Sequence, residues 1–87
     1  MEKALIDILI EEQSAVKDVN KIQRDIECAR EYRDHAICYL PDCEAKTKEL
    51  ARIKDELVQL AGRKLKYEAN LETIRRELAG YINYLMN

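Results

Sequence analysis

From Leu50 onward the chain repeats one seven-residue apolar pattern as far as Leu85. Leu50, Leu57, Lys64, Leu71, Leu78 and Leu85 recur at one heptad position (a), and Ile53, Leu60, Tyr67, Ile74 and Tyr81 recur three residues later (d). Five successive d residues without a charge among them dictate a long helix that buries one stripe against another helix. The first half carries a weaker version. Leu5, Glu12, Val19, Ile26, Arg33 and Leu40 fall at a, and Ile8, Ala15, Ile22, Ala29 and Ala36 at d, while Leu9, Val16 and Ile37 widen the stripe at e. The composition agrees with long helices: 37% of residues are charged, 47% are hydrophobic, and only two Gly and one Pro are present.

The single proline, Pro41, falls where the heptad phase changes, since a ends at Leu40 and restarts at Cys43. A proline disfavours helical backbone at the residue before it and cannot donate a helix hydrogen bond. Pro41-Asp42-Cys43-Glu44 reads as a helix start, with proline in the first turn and acids at the positive end of the dipole. The expectation is therefore an all-α fold in which residues 1–87 form one helical-hairpin domain. Its first helix runs from about 2 to 40, its turn covers about 41–44, and its second helix runs from 44 to 86. A single helix kinked at Pro41 is the alternative, because no Gly or Asn marks the end of the first helix.

If the chain folds back, an antiparallel coiled coil opposes a to d, and paired residue numbers then add to 86. Layers such as Ile8–Leu78, Ala15–Leu71, Ile26–Leu60, Ala29–Leu57 and Arg33–Ile53 follow, and Asp25 comes beside Arg63. The midpoint of this register is Cys43, next to the expected break. Glu12, Arg33 and Lys64 are polar residues at core positions, a pattern that fixes register in coiled coils, and Lys64 has a stem long enough to carry its charge out past the stripe.

Two helices with one stripe each make a thin core for 87 residues. Apolar side chains are left over at Leu5, Ile6, Leu9 and Ile10 near the open end, at Ile82, Tyr84 and Met86 opposite them, and at Val58 and Leu65 on the outside of the second helix. These are the candidate oligomerisation residues, and a homodimer forming a four-helix bundle is the expected assembly.

Chemistry is sparse. Cys28, His35, Cys38 and Cys43 form the one constellation with zinc-like residue types. Seven residues, about 10 Å of helix, separate Cys28 from His35, which rules out a shared ion. His35, Cys38 and Cys43 remain the weak metal candidates, without a CxxC spacing, and no metal or other cofactor is expected. A surface cysteine with His35 as base lacks a pocket, an oxyanion hole and an orienting third group, so no enzymatic activity is expected. The basic run Arg63-Lys64-Lys66-Tyr67, with Arg75-Arg76 beyond it, offers a phosphate-contacting strip. A net charge of −2 and the placement of Lys64 and Tyr67 at a and d argue against that use.

Three cysteines without a secretory leader suggest reduced thiols and a cytoplasmic location, and no stretch is apolar enough for a membrane. The leading functional expectation is a small oligomeric scaffold or adaptor that binds itself and one unidentified protein partner through helix faces. A regulatory inhibitor of a larger enzyme or complex, of the phage or mobile-element type, comes second, and a nucleic-acid-associated dimer third. Tyr32, His35, Tyr39 and Asp42 cluster toward the turn, where aromatic area and loop position favour contact with a partner.

Overall fold

The computed structural model describes residues 4–86, and these form two helices joined by a short link. Helix α1 spans Leu5–Tyr39 and helix α2 spans Glu44–Met86; the expected start of the first helix near residue 2 lies outside the described residues. The molecule measures 65 × 17 × 16 Å. At about 1.5 Å per residue, α2 alone accounts for that length. The chain is therefore a helical hairpin rather than one kinked helix, with α1 lying back along α2.

Packing follows the heptad. All nine buried residues among those described occupy a or d positions, seven of them d: Ile8, Ala15, Ile22, Ala36, Ile53, Leu60 and Ile74, with Ile26 and Leu71 at a. They gather as the register requires. Ile8 and Ala15 cluster with Leu71 and Ile74, flanked by Val16, Val19, Leu78 and Tyr81. Ile22 and Ile26 cluster with Leu60, flanked by Ala29 and Leu57. The alanines of α1 face leucines of α2, so small and large side chains alternate across the seam and fill it without strain.

The polar seam residues lead their charges outward. Lys64 is half-buried and its Nζ lies 3.6 Å from the Glu68 carboxylate on the same helix. The Arg33 guanidinium donates to Asp34 Oδ1 at 3.3 Å. No buried side-chain nitrogen or oxygen among the described residues lacks a hydrogen-bond partner. Two expectations need correction. Tyr67, at d, is 37% exposed, whereas Tyr81, also at d, packs against the cluster at the open end. Asp25 and Arg63 line one groove but form no ion pair, both lying on the open flank of the seam where water screens them.

The link explains why no glycine precedes Pro41. Leu40 has φ −82° and ψ 140°, the extended backbone that a following proline favours, so no left-handed residue is needed. Proline sits in the link and not in the first turn of α2: the Cys43 carbonyl accepts the Thr47 N–H at 3.2 Å, which makes Cys43 the cap.

Ile53 is 1% exposed, the most deeply buried large side chain. Ile53→Ala should lower unfolding stability by about 2–4 kcal/mol, whereas Gln59→Ala, exposed and outside the seam, should change it by less than about 0.5 kcal/mol. Urea titrations at one fixed protein concentration test this. Equal losses at the two positions would contradict the seam.

Candidate functional site

Near the turn, α1 presents three rings on one flank. Tyr32 and Tyr39 lie two turns apart at g, and His35 lies between them at c. The His35 and Tyr39 rings stack at a tilt, with centroids 4.5 Å apart. Tyr39 is 75% exposed. Tyr32 is anchored: its hydroxyl donates to Glu49 Oε1 of α2 at 3.2 Å, and Arg52 Nε donates to the same oxygen at 3.1 Å. Arg52 also reaches Glu56. This surface network ties the aromatic flank of α1 to the first turns of α2.

Asp42 completes the turn end from the link. Its carboxylate accepts from Lys46 Nζ at 2.9 Å, and the same ammonium donates to the Ile37 carbonyl at 2.9 Å. Lys46 satisfies an orphan acceptor in the last turn of α1 and brings positive charge to the negative end of its dipole. The side chain of Lys46 is only 14% exposed. Heptad reading does not find it, because its role depends on the fold-back that sets it under α1.

The metal candidates do not converge. Cys28, Cys38 and Cys43 are free and exposed, and among the described residues no group of three His, Cys, Asp or Glu side chains is placed to hold an ion. His35 has an aromatic neighbour instead.

The candidate oligomerisation residues fall in two places. At the open end Leu5 is half-buried, while Ile6, Leu9, Ile10, Ile82, Tyr84 and Met86 are exposed. Along the outside of α2, Val58 is 64% and Leu65 69% exposed. A groove beside the seam, lined by Gln23, Arg30, Lys54, Ala61 and Leu65 among others, leads from α1 to this second patch. The first groove also has Arg33, Lys64 and Glu68 in its walls; the opposite groove has Asp25, Arg52, Glu56 and Arg63, with Tyr32 beside them. The hairpin is thus two-sided: one flank carries the exposed apolar side chains Val58 and Leu65, and the other carries the tyrosines. No helix among the described residues is long and apolar enough to cross a membrane.

The class these features define is an all-α helical hairpin. No protein-family model, curated protein or solved structure matches the chain.

Two measurements check the turn. Lys46→Met should lower stability by about 1 kcal/mol, because the Ile37 carbonyl and Asp42 lose a charged donor; an unchanged urea midpoint would remove the lock. The Glu49 carboxyl is held below its ordinary range mainly by the hydrogen bond from Arg52, with a smaller share from the Tyr32 hydroxyl. Its contribution to stability is therefore present above the ordinary glutamate range and is lost as pH falls through the lowered midpoint. Carbon-13 titration should show Arg52→Ala raising that midpoint more than Tyr32→Phe does. The reverse order would refute the assignment.

Proposed function

We propose that this chain is a non-enzymatic protein–protein interaction module, a small cytoplasmic scaffold that self-associates and presents its turn end to a protein partner. The supporting observation is the aromatic flank. Tyr39 stacks on His35 in the open, beside a Tyr32 whose hydroxyl is already pinned to Glu49. Rings held in place on a rigid helix lose little freedom on binding, and tyrosine offers large area with a polar tip. Asp42, 97% exposed at its side chain while gripped by Lys46, adds a positioned charge at the same end.

Rigid placement of this kind suits recognition better than chemistry. The imidazole of His35 faces a phenol ring and not a nucleophile, and the grooves beside the seam are open along their length.

The test is affinity capture from cells that express the chain, comparing the native protein with Tyr39→Ala/Asp42→Ala. The double variant should retain oligomer mass and helicity and capture at least about tenfold less partner, the loss expected for removing a hot spot. If it captures normally while Ile10→Asp abolishes capture at unchanged oligomer mass, the open end is the binding end. A captured enzyme whose turnover falls on addition of the chain would make the module an inhibitor. Salt-sensitive retention of nucleic acid in place of protein would defeat the reading.

A further inference from the structure

The hairpin exposes 7018 Å², against about 5,300 Å² for a compact monomer of 10.2 kDa. The excess, roughly 1,700 Å², comes from its rod shape and exceeds the ~800 Å² that one protomer commonly buries in a stable dimer. The side from which it should be removed is marked on α2. Val58, Ala61, Gly62 and Leu65 have the spacing i, i+3, i+4, i+7, which is the four-residue hole of knobs-into-holes packing. All four are exposed. A Cβ added at Gly62 would meet nothing within 4 Å, so no contact inside the chain accounts for this glycine. In the middle of a helix it costs about 1 kcal/mol relative to alanine. It leaves the floor of the hole open.

We infer that a second copy of this chain packs antiparallel on this flank, α2 against α2, with Leu65 of each copy seated in the Val58–Ala61–Gly62–Leu65 hole of the other. The inference rests on the self-association in the proposed function and specifies its geometry. Seating Leu65 over the centre of the hole fixes the register, in which opposed α2 residues have numbers adding to 126.

Charge then agrees. Lys54, which has no ion pair among the described residues, comes opposite Glu72 of the other copy, whose carboxylate is held by Arg76 of its own helix and is shared between the two cations, and twofold symmetry makes the pair twice. Shifted by one heptad toward the turn, Lys54 would instead meet Leu65. Through the seam, the same register sets α1 residues whose numbers add to 46 opposite each other. Leu9 then meets Ile37, and Ile6 meets Leu40, four apolar side chains that the hairpin alone leaves exposed. The hole is centred about 125° around α2 from the seam, on a face separate from the one α1 covers, as a second neighbour in a four-helix bundle requires. Parallel stacking has none of these matches. Tyr32 and Tyr39, on the other flank, stay clear.

The experiment mixes two chains in which Cys28, Cys38 and Cys43 are serine, one carrying Lys54→Cys and the other Glu72→Cys. Under mild oxidation the mixed disulfide should exceed either self-linked product at least tenfold. Within one orientation class, residues 54 of the two copies lie 18 residues apart along the dimer, about 27 Å, so self-linking of either variant as readily as mixing overturns the proposal. So does a monomeric mass at micromolar concentration. Glu72→Lys alone should weaken the dimer about tenfold, and Lys54→Glu added to it should restore native affinity; absence of rescue also counts against the pairing. Both positions are exposed, so folding is preserved. Mixed disulfides that form while Tyr39→Ala/Asp42→Ala captures partner normally would leave this geometry standing and sink only the proposed turn-end site.

Discussion

Everything in this hairpin depends on the opposition of a and d residues across one narrow seam. The buried residues lie at those positions and nowhere else among the residues described, so the molecule has a line of contact and not a volume of core. A line has no redundancy. Arg33 and Lys64 carry their charges to the edge of that line through Asp34 and Glu68 on their own helices, pairs that any register of the two helices would retain. Register is set instead by which apolar a and d side chains oppose one another and by where Pro41 ends α1.

Pro41 sets the length of the two arms, and Lys46 makes the reversal stable. Proline holds Leu40 extended, which leaves the last carbonyls of α1 without successors. A lysine from the first turn of α2 returns to one of them. The return of the chain and the satisfaction of the broken helix end are thus one arrangement, and Asp42 positions the ammonium that performs it.

The heptads made the helices, the break, the fold-back and the pairing register legible, because a period of seven residues translates directly into which side chains share a stripe. They gave less at three kinds of position. Tyr67 has the heptad place of a core residue but is exposed, whereas Tyr81 at the same place packs against the core. Lys46 has no heptad signal at all, since its partners are 9 and 4 residues away across the turn. Asp25 and Arg63 have complementary charge and adjacent places, yet exposed charges at that separation gain little by closing up. At the turn, periodicity located Tyr32, His35 and Tyr39 on one flank, but only coordinates show that Glu49 and Arg52 tether one ring while the others stack in the open.

The two flanks imply a division of labour with a consequence for reach. On the inferred pairing, the flank carrying Val58 and Leu65 is consumed by the second copy, and the antiparallel sense sends the two turn ends in opposite directions. Each end keeps its own Tyr39 and Asp42, so that dimer would carry two identical copies of the proposed binding end, separated by nearly the length of the rod, 65 Å. A rigid spacer of that length cannot clasp one small partner with both ends. It can bridge two partner molecules, or two sites on a large assembly, and gains avidity only where the sites match its span. Parallel pairing would instead put both turn ends side by side and favour a single dimeric target. The orientation of α2 against α2 therefore decides what size and symmetry of partner this hairpin can serve.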